Sequence, residues 1–174
     1  MTISEKSNFF ARVENNFTKH LHNYIGKPNL KFLEIGSYAG SSAIGMLSNI
    51  LTHKSSTLTC VDIWFNPFAE KVFDRETSRF DNQIIKEVAW SKEWLKNNQD
   101  KKFDFIYIDG DHSAEAVKND IELSWNILKS NGIMAIDDYY IENPHGNPKP
   151  IIDEFIASKN CTVLEINQQV WIQK

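Results

Sequence analysis

The sequence predicts a doubly wound α/β fold on a mostly parallel, seven-stranded sheet. Short β-prone runs alternate with helical periodicities of ten or more residues, the pattern of βαβ units. Several of those runs end in glycine or aspartate. The chain closes on two β-prone runs separated only by Asn167-Gln168, which predicts an antiparallel hairpin. At 174 residues the chain suits one domain, 1–174, with an N-terminal helix within 1–27 and a core over 30–174.

Phe10, Val13, Phe17, Leu21 and Tyr24 recur three to four residues apart, one face of an amphipathic helix ended by Gly26 and Pro28. Lys31 to Ile35 reads as a buried strand running into the Gly36 turn, and Ser41 to Leu51 as a helix. Leu58 to Ile63 is a second strand, Phe68 to Arg79 a helix, Ile84 to Ala89 a weak strand and Ser91 to Asn97 a short helix. Phe103 to Ile108 (FDFIYI) is the most β-prone run in the chain. Ala114 to Lys129 carries a helical stripe of Val117, Ile121, Trp125 and Leu128, and Asn131-Gly132 punctuates before the strand Ile133 to Ile136. Pro150 suits the first turn of a helix reaching Ser158, and TVLEI and QVWIQ form the closing hairpin.

Composition narrows the function. Nineteen Lys and Arg against 23 Asp and Glu leave a net charge of −4, which excludes a broad nucleic-acid footprint. No apolar run approaches the roughly 18 residues that span a bilayer. The opening residues are polar and carry Glu5, so neither a signal nor a transit peptide is expected. Cys60 and Cys161 are too few for a disulfide scaffold. A cytoplasmic protein with two reduced thiols is the expectation.

In a doubly wound sheet the ligand sits beyond the carboxyl ends of the strands, so the residues ending each strand carry the chemistry. The first strand ends in Glu34-Ile35-Gly36-Ser37-Tyr38-Ala39-Gly40. Glycines there permit a sharp turn and close approach of a ligand to a helix N-terminus, although the same spacing occurs in ordinary packing. The second strand ends in Asp62, 22 residues beyond Gly40, where a carboxylate can accept hydrogen bonds from a ribose diol. A nicotinamide dinucleotide fits poorly, because Tyr38 occupies the position where its fingerprint requires a second glycine, and no P-loop lysine follows. Glu34 would repel phosphates but suits a cationic tail, so the adenosine ligand expected is S-adenosylmethionine.

Asp109-Gly110-Asp111-His112 ends the fourth strand and Asp137-Asp138 the fifth. Each aspartate alone reads as a turn former or helix cap. Asp109, Asp137 and Asp138 together offer oxygen ligands for a hard cation such as Mg²⁺ rather than zinc. His112 either caps the next helix or, beside a metal, acts as a general base. His20, His22, His53 and His145 have no companion residues that raise them above background.

In this order and spacing, FLEIGSYAGSSA, LTCVDIW, FDFIYIDGDHS and GIMAIDDYY, followed by PKPIIDEFI and QVWI, resemble class I S-adenosylmethionine-dependent methyltransferases with a Rossmann-like fold. The resemblance runs from Leu30 to Lys174 and is greatest to the catechol O-methyltransferase-like branch and methyltransferase family 24. It implies that Glu34, Gly36 and Gly40 hold the methionine part, with Ser37, Tyr38 and Ser42 beside them and Ser42 near the carboxylate. It places Asp62 on the ribose, Ile63 beside the adenine, Trp90 and Ser91 at the adenine edge, and Asp109 at both cofactor and metal. Asp109, Asp137 and Asp138 match the divalent-metal triad, whose third member is often Asn in catechol-type enzymes. His112 falls where relatives carry a catalytic Lys or His.

The expected reaction is metal-assisted O-methylation of a hydroxyl on a sugar or small metabolite. WFNPFAEKVF after Asp62 and YYIENPHGNPK after Asp138 could cover the acceptor or simply pack over the sheet edge. The alternatives are a catalytically silent cofactor-binding subunit, or a methyltransferase whose aspartates are structural. The small-molecule acceptor is the expected partner, with neither nucleic acid nor membrane. The N-terminal helix and the hairpin edge are candidate surfaces for a homodimer.

Overall fold

The computed structural model of the chain describes residues 14–141 and 147–174. Seven strands form one sheet: β1 (Lys31–Ile35), β2 (Thr57–Asp62), β3 (Ile84–Val88), β4 (Phe103–Ile108), β5 (Leu128–Ile136), β6 (Thr162–Ile166) and β7 (Val170–Gln173). Their spatial order is β3-β2-β1-β4-β5-β7-β6. Strands β1 to β5 pair in parallel, and β7 runs antiparallel to both β5 and β6. The expected doubly wound sheet with its terminal hairpin is therefore present. Its order reverses between β1 and β4, so their carboxyl ends flank the crevice where such folds bind ligands.

Helices α1 (14–21), α2 (Ser41–Asn49), α3 (Pro67–Thr77), α4 (Ser91–Asn97), α5 (Ala114–Ile127) and α6 (Lys149–Ser158) cover the two faces. Strand alternation decides which residues meet them. Phe32, Cys60, Phe105, Tyr107 and Trp171 pack with Phe17, Leu21, Met46 and Phe73, from α1, α2 and α3. Leu33, Ile35, Val61, Ile106 and Ile108 pack with Leu95, Ile121, Trp125 and Phe155, from α4, α5 and α6. Phe17 meets Phe105, Tyr107 and Trp171 edge-on at ring separations of 5.9, 5.1 and 5.1 Å. Burying such a ring contributes about 2–3 kcal/mol. Phe17 and Leu21, on the apolar face of α1, are thus buried in the core. Phe10 and Val13 of the expected helix lie outside the described residues.

Several boundaries shift by a residue or two, and two of them have a visible cause. Helix α5 stops at Ile127 instead of Lys129, and Leu128 opens β5 by pairing with Phe103. The Lys174 ammonium satisfies the carbonyls of Trp125 and Leu128 at 2.5 and 3.0 Å, and Asn131 takes a left-handed φ of 64° that re-registers the strand. Helix α3 ends at Thr77 and tightens into a 3₁₀ turn over Ser78–Phe80. Cys60 and Cys161 are both unpaired. Among the described residues no helix is long and apolar enough to cross a membrane.

One core residue carries a cost. Asp120 on α5 is fully buried, and its two carboxyl oxygens lack a well-formed hydrogen bond. Burial pushes its pKa up to about 6, while the nearby Ser91 hydroxyl draws it back and the Asp111 charge adds to the rise. Because the folded protein disfavours the ionised form, Asp120 subtracts stability as pH rises from the ordinary carboxylate range through about 6. Asp120→Asn should therefore gain stability relative to the parent across that window, by up to roughly 3 kcal/mol. Urea titrations at pH 4.5 and 7.5 check this; an equal difference at both values rules the account out.

Candidate active site

The first turn of the site is shaped by glycine. Gly36 has φ 86°, and a β-carbon there would stand 2.0 Å from the Asp109 carbonyl oxygen and 2.7 Å from the Gly110 α-carbon. No other residue fits this crossing of the chain after β1 with the chain after β4. Gly40, at φ 84°, begins α2 and faces Phe73 and Thr77 of α3. A cleft of about 510 Å³ opens over these turns. Gly36, Ser37, Tyr38, Ser42, Asp62, Ile63, Trp90, Ser91 and Asp109 all line it, as expected of cofactor-binding residues.

Glu34 and Gly40, expected beside the methionine part, are not among the residues that line it. Gly40 is occupied with turning the chain into α2. Glu34 is fully buried beneath the turn, where it accepts the Ser37 hydroxyl at 2.6 Å, the Ser42 hydroxyl, and the Cys60 thiol at 3.5 Å. Burial raises its pKa, and the Ser37 and Ser42 hydroxyls and the Cys60 thiol restrain the rise. Its work is to orient Ser37 and Ser42, which do face the cleft. Asp62 accepts the backbone N–H of Tyr38 at 2.8 Å and of Trp64 at 2.6 Å, one on each oxygen. Each oxygen keeps a further lone pair, so hydrogen bonding to a diol remains open.

At the other end, Asp109, His112 and Asp138 converge. One ligand atom from each lies within 4.8 Å of the others, and His112 Nε2 stands 3.3 Å from an Asp138 oxygen. All three line the cleft. Asp109 has its pKa raised well above the usual range by burial, then by the Asp137, Asp138 and Glu34 charges. A crowded set of carboxylates with an imidazole fits a divalent cation.

Asp137, the remaining member of the expected triad, is held differently from Asp109 and Asp138. It is buried and lies off the cleft lining, with one oxygen taking the Tyr107 hydroxyl at 2.5 Å and the other the Asp138 N–H at 2.9 Å. Burial raises its pKa, and those hydrogen bonds oppose the rise. His112, expected as a general base, stands in the converging set beside Asp109 and Asp138. Tyr107 and Asp111 also line the cleft and were not foreseen. Asp111 accepts the Ser113 N–H at the start of α5, an ordinary capping pattern that hides its position on the rim. The signal for Tyr107 was the one hydroxyl in β4, where Asp104 is the only charged residue.

Residues 33–139 match the model of a family described as a methyltransferase domain, more than half of the chain. The chain belongs to this family of class I S-adenosylmethionine-dependent methyltransferases. An uncharacterized protein of Acanthamoeba polyphaga mimivirus is 26% identical, over 87% of this chain and 72% of its own. Among solved structures, an O-methyltransferase from Bacillus cereus in complex with SAH superposes with a TM-score of 0.66 at 15% identity, covering 100% of this chain and 82% of its own. The MycE methyltransferase of the mycinamycin biosynthetic pathway, in complex with Mg, SAH and mycinamycin VI, gives 0.69 at 16% identity. That match covers 92% of this chain and 48% of MycE. At these identities the two structures show a shared fold.

Since both the turn and the cleft floor depend on Gly36, Gly36→Ala should cost at least about 3 kcal/mol of stability and weaken binding of S-adenosylhomocysteine. Urea denaturation and calorimetry check this, and a variant with parental values would show that the crossing is not constrained.

Proposed function

We propose that this methyltransferase acts on a hydroxyl oxygen of a sugar or small metabolite and that a divalent cation assists. The observation that carries this reading is the convergence of Asp109, His112 and Asp138 on the cleft that also holds Asp62, Ser37 and Ser42. The MycE structure, solved with Mg, SAH and mycinamycin VI, supports both the cation and a small-molecule acceptor. The residues fit S-adenosylmethionine: Asp62 toward the ribose diol, Ile63, Trp90 and Ser91 toward the adenine, Ser37, Tyr38 and Ser42 toward the methionine part.

The transfer breaks the sulfonium C–S bond and forms a C–O bond in line, leaving one hydroxyl proton to be removed. Asp109 and Asp138 would hold the cation with His112 beside it. A bound hard cation supplies a lowered hydroxyl pKa and a fixed oxygen position. His112, beside Asp138, would accept the hydroxyl proton. Positioning does much of the rest, since an in-line displacement depends on alignment of its reacting atoms. The exposed aromatics Phe65 and Phe68, just after Asp62, offer stacking surface to a ring-bearing acceptor.

The test is methyl transfer from labelled S-adenosylmethionine to a panel of sugar and phenolic acceptors, with Mg²⁺ and then with EDTA. His112→Ala should lower kcat by about 10²–10⁴-fold while leaving affinity for S-adenosylhomocysteine unchanged. Asp138→Ala should abolish the response to Mg²⁺. EDTA-resistant turnover would overturn the cation's part, and turnover undiminished in His112→Ala would remove the base.

A further inference from the structure

A chain of buried hydrogen bonds runs from the terminal hairpin to the acidic rim, and the proposed reaction does not itself use it. Gln169, fully buried in the turn before β7, accepts the Trp171 indole N–H at 3.0 Å and the Asn16 amide of α1 at 3.1 Å through its side-chain oxygen. Its amide nitrogen donates to the Tyr107 hydroxyl at 3.3 Å. Tyr107, also fully buried, donates to Asp137 at 2.5 Å and lies 3.3 Å from an Asp109 oxygen. The other Asp137 oxygen takes the N–H of Asp138, whose φ of 56° is left-handed. That conformation is uphill for a residue with a β-carbon and persists only when its surroundings impose it.

The directions of these bonds follow from chemistry. The Gln169 oxygen is fixed as acceptor by the Trp171 indole N–H, which can only donate, and it takes the Asn16 amide N–H as well. Its nitrogen must then donate to Tyr107, and the single Tyr107 proton is left for a carboxylate. Each step is satisfied in one sense only, so the chain is rigid.

We propose that Tyr107 and Gln169 are positioning residues for the cation set. They pin the Asp137 carboxylate, which holds the Asp138 backbone left-handed and so turns the Asp138 side chain toward His112 and Asp109. This rests on the cation reading given above. The hairpin and α1 thereby support the site without touching it, and outer partners of this kind are worth 10–100-fold in metal affinity.

The experiment measures Mn²⁺ affinity by electron paramagnetic resonance, with S-adenosylhomocysteine affinity and melting temperature recorded beside it. Tyr107→Phe keeps the ring and removes the hydroxyl; it should weaken Mn²⁺ binding about tenfold and S-adenosylhomocysteine affinity far less. Gln169→Met, which removes the donor to Tyr107 from a different element, should weaken Mn²⁺ in the same direction. The double variant should be no weaker than Tyr107→Phe, because both changes break one chain. Parental Mn²⁺ affinity in either folded single variant overturns the proposal, as does an equal loss of both ligands, which would mark general loosening. Absence of Mn²⁺ binding by the unmodified protein would overturn the cation reading itself, and this inference with it.

Discussion

The site depends on one close approach, the passage of the turn after β1 against the end of β4 with no room for a side chain. Three backbone bonds extend the sheet one step past its strands: Gly36 N–H to the Val61 carbonyl, Asp109 N–H to that of Ile35, and Asp137 N–H to that of Ile108, all at 2.8–2.9 Å. They bring the residues just after each strand to one rim. Gly36 makes this possible, since a β-carbon would overlap the Asp109 carbonyl at 2.0 Å. Proximity of the cofactor-facing turn to the acidic cluster is therefore a backbone property, and the side chains inherit their positions from it.

Charge is the second constraint. Glu34, Asp109 and Asp137 are carboxylates in a dry region, each costly unless partnered. Glu34 is supplied with two hydroxyls and a thiol, and Asp137 with the Tyr107 hydroxyl and a backbone amide. Asp109 has the longer Tyr107 hydroxyl contact at 3.3 Å and faces like charges, which raise its affinity for a proton beyond what burial alone does. A cation answers the same field as a proton, so the uneven partnering of these acids supports the assignment of Asp109 to the cation. The partners that settle Glu34 and Asp137 also take them off the cleft lining.

This unevenness explains what sequence could and could not reveal. The order of strands and helices was legible because period-two and period-3.6 patterns, glycine turns and Pro150 act locally. The strand-end acids were legible because the topology sends every parallel strand's carboxyl end to one side. Which acid faces the cleft was not. Asp137 and Asp138 are adjacent, and their roles are divided by the Tyr107 hydroxyl and a left-handed backbone, both set by tertiary contact. The burial of Glu34 was hidden for the same reason: nothing local shows that Ser37, Ser42 and Cys60 close around it. The early end of α5 lay equally out of reach, since Lys174, distant in sequence, completes its cap.

Tyr38, Trp64 and Asp138, with φ of 44°, 46° and 56°, are non-glycine residues in left-handed conformations just beyond β1, β2 and β5. Each costs on the order of 1 kcal/mol or more relative to ordinary backbone. In every case the strained residue's own N–H is held by a strand-end carboxylate: Asp62 holds Tyr38 and Trp64, and Asp137 holds Asp138. Hydrogen bonds to a charged acceptor contribute about 1.5–3 kcal/mol, enough to offset such strain. The acids at the strand ends are thus backbone clamps before they are ligand contacts. Asp62 clamps two such residues, one on each oxygen, while lining the cleft. Asp137, enclosed by Tyr107, clamps the neighbour that lines it. Fold and site are joined at these bonds, where a side chain that shapes the turn also decides which charge the cleft presents.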